Sequence, residues 1–325
     1  MRRRFSLRHL YRLLLTVISL YLVSLLLCYP SKALGYAFTG VTLWFQKMIP
    51  ALLPFMILSG IMIRLDLTAQ FTCFLHPVLH RIFGTSKNGS YTILMGFLCG
   101  FPMGARIVGE LYSASRISRQ EAAYLLAFCN NIGPIYFLSY VIPSLRLTTS
   151  PLLLFAMYGI PLCYGALLRL AGRLPDFDAP YMAPGASALA GASLDRNASV
   201  LFAAIDSSIV SGLVGIAKLG GYMVFFNLLN ILWTPLPLHS SALSSLGSCI
   251  LEITSGIGQS DPSCALSVLV LLPFGGFSCI AQTYSMISDT DLSISGYVFH
   301  KVIQTFLTFA FYAVCVLFAG FHIAG

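Results

Sequence analysis

The chain has 325 residues, of which 57% are hydrophobic and only 9% are charged, and its formal net charge is +8. An average soluble domain has about 25% charged residues, so this composition excludes a soluble globular protein, a disordered chain and a coiled coil. The sequence therefore predicts an all-α polytopic membrane protein that lies in a lipid bilayer. Basic residues stand at the N-terminus and at the ends of apolar runs, where they fix membrane orientation, so no nucleic-acid partner is expected.

Apolar runs that could enter or cross a membrane recur along the chain. They cover 12–29, 49–64, 91–113, 121–142, 151–170, 199–234, 242–258, 263–288 and 295–319. The first run follows a basic start and no cleavage site follows it, so it predicts an uncleaved anchor helix with a cytoplasmic N-terminus. Two stretches with scattered polar residues, 33–47 and 199–217, are predicted to lie in the membrane interface and to lead into separate spans.

Two of the apolar runs are interrupted by helix-breaking residues. One interruption is Gly-Phe-Pro-Met-Gly at 100–104, and the other is Pro-Phe-Gly-Gly at 273–276. Such breaks at membrane depth leave backbone groups that protein or a wet cavity must cover, so both are predicted to be re-entrant hairpins. The run at 242–258 leaves two alternatives open, a further crossing or a re-entrant or interfacial element.

A linker-like stretch at 171–198 divides the chain into two halves that resemble each other. A shift of 176 residues places Gly100 on Gly276, and the order interfacial helix, span, hairpin, span occurs twice. The count of basic residues on each side favours opposite orientations for the two copies, with Lys301 outside, and therefore an inverted repeat with discontinuous helices. The predicted domains are an anchor helix (1–30), a first repeat with a connecting helix (31–170), a cytoplasmic linker (171–198) and a second, inverted repeat (199–325).

The predicted hairpin at 100–104 carries the first candidate site. Gly100, Pro102 and Gly104 leave backbone groups free, and a half-helix that begins there points its positive end into the membrane and attracts anions. Arg106 and Glu110 follow at a spacing of four and face the same side. Two interpretations stay open: an ion pair that lowers the cost of two buried charges, or a substrate contact at Arg106 with Glu110 as a coupling group.

A second candidate site is the segment Asn130-Asn131-Ile-Gly133-Pro134 inside an apolar run. Adjacent amides with a glycine and a proline indicate a discontinuous helix, in which asparagine offers both donors and acceptors to a solute. The alternative is a proline kink whose free carbonyls are satisfied by the two asparagines themselves.

The second half offers neutral polar groups and one carboxylate. Glu252 is the only acid in its run, and it is predicted to be a coupling site or, alternatively, an interfacial acid turned to solvent. No catalytic motif, cofactor motif or complete set of metal ligands is visible, so neither an enzyme nor a cofactor is expected. The predicted substrate-binding residues are Gly100, Pro102, Gly104, Arg106, Asn130, Asn131, Gly133, Pro134, Gly275, Gly276, Ser278 and Gln282.

Four motifs resemble those of the YlbJ-type sporulation integral membrane proteins of the nucleoside-recognition (Gate) superfamily. They are GFPMGARIVGEL (100–111), FCNNIGP (128–134), LEITSGI (251–257) and PFGGFSCIAQ (273–282). This resemblance implies inverted repeats and re-entrant hairpins in a bacterial cell membrane, that of the mother cell or the forespore, and movement of dipicolinate into the developing spore. The chain departs from the family at Phe101, where tyrosine is more frequent, and at Arg106, where lysine is usual.

The sequence thus predicts a transporter of a small anionic or polar solute, whose hairpins move around a midplane site. Half-helix N-termini, an arginine and paired amides suit a small planar dianion such as dipicolinate. The alternative is a non-transport membrane scaffold or signalling protein needed for spore formation. The expected partners are the solute and the lipid bilayer, and the question of a homo-oligomer stays open.

Overall fold

The computed structural model describes residues 7–172, 177, 194–235 and 241–319. Every regular element among these residues is helical, and six of the helices are long and apolar enough to cross a membrane. They are His9–Cys28, Pro30–Arg64, Pro151–Gly172, Ser199–Trp233, Pro262–Ile287 and Ile294–Phe318. The prediction of an all-α polytopic membrane protein is confirmed. Most of the predicted linker at 171–198 lies outside the described residues.

The predicted anchor corresponds to the N-terminal helix Leu7–Cys28. A continuous helix follows it from Pro30 to Arg64, and we call this the first long helix. Its counterpart, the second long helix, is Leu194–Leu228 with a 3-10 turn at Leu229–Trp233. The stretches 33–47 and 199–217 are helical and continue without a break into their spans; their position in the membrane interface stays a prediction.

A wide π-helical turn at Trp44–Met48 explains why the first long helix does not break at Pro50. Proline lacks a backbone N–H and its ring crowds the preceding turn, and a wider turn accommodates both defects. The same arrangement recurs elsewhere in the described chain. A π-helical turn at Phe137–Val141 precedes Pro143, and another at Phe155–Gly159 precedes Pro161.

The two long helices pack against each other in opposite directions. Gly40 lies against the backbone of Val224 near one end, whereas Gly60 lies against Ser208 near the other. Between them, the Trp44 indole N–H donates a hydrogen bond to the Ile216 carbonyl at 2.8 Å. Helices of 35 residues reach about 50 Å, which exceeds the hydrocarbon thickness of a bilayer.

Two helical hairpins follow the long helices. The first hairpin consists of Lys87–Cys99 and Met103–Ser113, joined by a tip at 100–102. The second hairpin consists of Ser241–Leu251 and Ile253–Gln259, and its tip is the single residue Glu252. The run at 242–258, whose topology the sequence left open, therefore folds back on itself.

Each hairpin is followed by a helix that is interrupted in the middle. The first broken helix comprises Arg119–Phe128, a non-helical stretch at 129–133 and a second part at 134–144. The second broken helix comprises Ala265–Leu271, an interruption at 272–275 and Gly276–Ile287. The predicted hairpin at 273–276 is thus wrong. The Gly275 N–H still bonds to the Leu271 carbonyl at 3.2 Å, so the chain bends and continues instead of turning back.

Each half ends in a helix, the first end helix Pro151–Gly172 and the second end helix Ile294–Ala319. The order long helix, hairpin, broken helix, end helix therefore occurs twice. The long helices run in opposite directions, which an inverted repeat requires, and the inversion of the two whole halves stays a prediction. The correspondence differs from a shift of 176 residues, because the tip around Gly100 matches Glu252 and the interruption at 129–133 matches 272–275.

The loop before the second end helix lies beside the loop that follows the first hairpin. Asp291 accepts hydrogen bonds from the Tyr112 hydroxyl at 2.8 Å and from Arg119 Nε at 2.6 Å. These two donors lower the pKa of the Asp291 carboxyl below its ordinary value. Both loops therefore share one side, whereas the sequence-based topology separated them. That topology treated 273–276 as a tip and so missed one crossing.

Candidate functional site

A cavity of about 400 Å³ lies where the two hairpin tips meet the two broken helices. Phe101 and Glu252 reach it from the tips, Gly133 and Leu272 from the interruptions, and the first long helix forms a further wall. The volume lies in the range of small-molecule sites, which are mostly apolar with a few polar groups. The polar residues that line it are Lys47, Tyr136, Ser139, Tyr140, Glu252, Thr254 and Gln282.

Each hairpin tip is seated on the interruption of its own half. Gly104 contacts the Cys129 carbonyl so closely that a side chain would collide with the backbone of 129–130. In the second half the close glycine lies on the broken helix instead: an added Cβ at Gly276 would lie 2.8 Å from the carbonyl oxygen of Cys249 in the second hairpin. Gly276 also has φ +79°, a conformation that only glycine adopts readily. These contacts position the tips at the cavity.

Glu252 is buried at the tip of the second hairpin and caps the short helix that follows it. One carboxylate oxygen accepts the Thr254 N–H at 3.2 Å and the other accepts the Ser255 N–H at 2.7 Å. The interpretation as an acid turned to solvent is therefore wrong, because its residue is only 1% exposed. The carboxylate also neutralises the positive end of that helix, so this tip does not attract an anion as a free half-helix would.

Asn130 joins the interruption of the first broken helix to three other elements. Its amide nitrogen donates to the Thr283 hydroxyl at 2.9 Å and to the Tyr297 hydroxyl at 3.1 Å. Its carbonyl oxygen accepts the Ala105 N–H at 3.3 Å. The amide is therefore fully engaged within the protein, and it holds the first hairpin against the second half.

Asn131 holds a buried lysine that the sequence-based topology placed outside the membrane. Its side-chain oxygen accepts a hydrogen bond from Lys301 Nζ at 2.8 Å, and its nitrogen donates to the Phe128 carbonyl at 2.6 Å. Lys301 is fully buried and donates a second hydrogen bond to Gln304 at 3.2 Å. The prediction of an outside Lys301 is wrong. The signal in the sequence was a single cation near the start of a long apolar run.

Arg106 and Glu110 form an ion pair at 2.9 Å, as one of the two interpretations expected. Arg106 also donates to the Ser211 hydroxyl at 2.9 Å and to the Ser211 carbonyl at 3.3 Å. This places the guanidinium between the first hairpin and the second long helix, and neither Arg106 nor Glu110 lines the cavity. Their roles in binding and coupling stay predictions.

Replacing Arg106 with methionine is expected to weaken the packing of the first hairpin on the second long helix. The change removes the partners of Glu110 and Ser211, and breaking a buried ion pair costs about 3–5 kcal/mol. We expect less folded protein in the membrane and a lower melting temperature in detergent. Loss of transport at unchanged abundance would instead support Arg106 as a substrate contact.

Three of the residues predicted from the sequence line the cavity directly: Gly133, Gln282 and Glu252. Gln282 donates a hydrogen bond to the Ser278 hydroxyl at 2.9 Å, so its carbonyl oxygen is available on the cavity side. The remaining predicted residues stand behind the lining, and their contact with solute stays a prediction. They are Gly100, Pro102, Gly104, Asn130, Asn131, Pro134, Gly275, Gly276 and Ser278.

An aromatic wall is a part of the cavity that sequence reasoning missed. Tyr136 and Tyr140 lie with ring centroids 5.0 Å apart, and the Tyr140 hydroxyl donates to the Thr254 carbonyl at 2.9 Å. This bond joins the first broken helix to the second hairpin. The spacing of four residues was visible in the sequence, but nothing in it indicated that this helix face meets the opposite half. No cluster of three His, Cys, Asp or Glu residues that could hold a metal occurs in the described ranges.

The chain is similar to the sporulation integral membrane protein YlbJ of Bacillus subtilis (strain 168). The two are 26% identical over 90% of this chain and 79% of that protein. No family model and no solved structure matches. The similarity confirms the resemblance to YlbJ-type proteins that the motifs predicted, whereas membership of the Gate superfamily stays a prediction.

Proposed function

We propose that this YlbJ-type integral membrane protein transports a small anionic or polar solute during spore formation, with dipicolinate as the first candidate. The observation that carries the proposal is the cavity between two hairpin tips and two interrupted helices. The similarity to a sporulation integral membrane protein supports a role in sporulation. Dipicolinate follows from the resemblance to the family.

The way in which the halves meet at the cavity favours transport. Few polar bonds cross from the hairpins to the opposite half there, among them the Tyr140 to Thr254 hydrogen bond. Movement of the second hairpin would break this bond while it exposes the cavity to one side, which is the requirement for alternating access. The first hairpin would also have to release the bonds from Arg106 to Ser211. A planar ring would pack on Phe101, Tyr136 and Tyr140, whose rings prefer offset or edge contacts.

Glu252 is the buried carboxylate that faces the cavity, and we propose that it couples uptake to a proton or cation. Glu252→Gln keeps an oxygen that caps the following helix but removes the charge. We expect normal abundance, a melting temperature within a few degrees of wild type, and at least tenfold slower concentrative uptake. Glu252→Ala should lower both uptake and stability, because it leaves two buried N–H groups without an acceptor.

The matched control is Asp261→Asn, because Asp261 is an exposed acid that also caps a turn. It should leave uptake unchanged. Concentrative uptake at the wild-type rate in Glu252→Gln vesicles would contradict a coupling role for Glu252.

Purified protein in proteoliposomes tests the function itself. We expect uptake of dipicolinate, and thermal stabilisation of the detergent-solubilised protein by dipicolinate but not by adenosine, because a ligand that binds the native state raises its apparent stability. An endospore-forming host without its own YlbJ-type gene should regain spore dipicolinate when it carries this chain. Absence of both uptake and stabilisation would refute transport and favour the scaffold alternative, which predicts crosslinks to partners and tolerance of substitution at both tips.

A further inference from the structure

We propose that Lys301 supplies the positive charge that binds an anionic solute, and that the Phe101 ring separates this ammonium from the cavity until the first hairpin moves. The inference deepens the proposed transport function and rests on it. It names the specificity-determining cation and the chemical class of its ligand, a small carboxylate.

Lys301 is a buried amine without a counter-ion. No carboxylate of the described residues forms an ion pair with it, and its hydrogen-bond acceptors are the neutral oxygens of Asn131 and Gln304. An ammonium has three donors, so one N–H remains for another partner. A charge at membrane depth that is neutralised by nothing in the protein is costly to maintain and marks a functional position.

Phe101 stands between this ammonium and the cavity. The residue lines the cavity from the tip of the first hairpin, and its ring centroid is 5.1 Å from Lys301 Nζ. The ring also packs on Gly275 in the interruption of the second broken helix, where an added Cβ would lie 3.2 Å from Phe101 Cζ. The aromatic face stabilises the cation in the closed state. Movement of the tip would remove the ring and bring the ammonium to the cavity.

The charges at the cavity explain why a second cation is needed. When it is ionised, Glu252 contributes a buried negative charge and cancels the positive end of its own helix. Arg106 is paired with Glu110, and Lys47 is exposed at the edge of the cavity. An anion in the cavity would therefore meet net repulsion at its buried end unless the charge of Lys301 becomes available.

The helix that carries Lys301 continues as a buried polar face. Lys301, Gln304, Thr308 and Tyr312 are spaced by three and four residues, which places them on one side of the helix, and each is at most 1% exposed. The hydroxyls of Thr308 and Tyr312 are buried without a hydrogen-bond partner. Buried hydroxyls are costly unless water or a solute satisfies them. This second observation shows that the polar face extends beyond Lys301 with hydroxyls that could still accept a polar partner.

Binding of dipicolinate to purified variants tests the proposal. Lys301→Met keeps the length of the side chain and removes the charge, and we expect its affinity for dipicolinate to fall at least tenfold. Lys301→Arg should retain most of the affinity, and Lys32→Met, at an exposed lysine, should bind as wild type does. Affinity of Lys301→Met within threefold of wild type would overturn the inference and leave transport standing. If the wild-type protein itself neither binds nor transports dipicolinate, both proposals fail.

Labelling of the amine covers the case in which Lys301→Met does not fold. Phe101→Ala should open access to Lys301, so a small amine-acetylating reagent should modify it several-fold faster than in wild type, as measured by peptide mass spectrometry. Phe101→Leu, which preserves bulk, should stay close to wild type. Dipicolinate should slow the modification in Phe101→Ala. Equal labelling of Phe101→Ala and wild type, or no protection by dipicolinate, would overturn the inference.

Discussion

Gly104→Ala is expected to unseat the first hairpin from the interruption of the first broken helix. The added methyl group would collide with the Cys129 carbonyl and would lie 2.9 Å from Asn130 Cα. Both are backbone atoms, so no side-chain rotation relieves the contact. Overpacking usually costs about 1–3 kcal/mol, and we expect the upper end of that range or more. Thermal unfolding in detergent, followed by size-exclusion chromatography, should show a melting temperature about 5–10 °C lower.

Gly35→Ala is the matched control, because it makes the same chemical change in the first long helix. No atom lies within 4 Å of the added Cβ there. Alanine is a better helix former than glycine by up to about 1 kcal/mol, so this variant should melt at or slightly above the wild-type temperature. If Gly104→Ala has the same melting temperature as Gly35→Ala, the close contact between the hairpin tip and the interruption is refuted.

Asn131→Leu is expected to destabilise the protein nearly as strongly, because it removes the 2.8 Å acceptor of a fully buried ammonium. Loss of a hydrogen bond to a charged group costs about 1.5–3 kcal/mol, and Lys301 keeps only its bond to Gln304. The comparison is Asn227→Leu. Asn227 is buried as well, in the second long helix, and the hydrogen bond of its side-chain N–H goes to the Met223 carbonyl at 2.8 Å, so its loss should cost about 1 kcal/mol.

A double-mutant cycle identifies the cause of that destabilisation. Lys301→Met removes the amine whose hydrogen bond Asn131 accepts. The double variant Asn131→Leu, Lys301→Met should therefore be more stable than Asn131→Leu alone. Melting temperatures of all four proteins provide the coupling. Additive losses would show that Asn131 matters through its other bond, the one to the Phe128 carbonyl at 2.6 Å.

Sequence reasoning located the two glycine- and proline-containing breaks at 100–104 and 273–276. It predicted the direction of the chain correctly only at 100–104. Glycine and proline at 100–104 and at 273–276 each disrupt backbone hydrogen bonding, and the pattern alone does not determine whether the chain turns back or continues. At 273–276 the hydrogen bond from the Gly275 N–H to the Leu271 carbonyl remains, and the chain continues in the same direction. The true second hairpin, at 241–259, was only one of the alternatives left open for its run, because its tip carries no glycine or proline. A carboxylate, Glu252, satisfies the free N–H groups instead.

The candidate site was predictable in part. Gly133, Gln282 and Glu252 could be found because polar groups and breaks inside apolar runs are rare. Lys301 and the tyrosines at 136 and 140 could not, because the cavity forms between elements separated by more than a hundred residues. A count of charges assigns every basic residue to one side of the membrane or the other. It therefore counted Lys301 as outside and could not place it within the membrane.

The wide turn at Trp44–Met48 determines which side chains of the first long helix reach the cavity. It fits one more residue into a single turn than an α-helix does, and each residue of an α-helix advances by about 100°. Shortening this segment by one residue would therefore rotate Ala51 and Phe55 away from the cavity they line, although every amino acid of the wall would be retained. The direction in which this wall faces thus depends on the number of residues between Trp44 and Pro50, one turn before the lining residues, and not on the lining residues themselves.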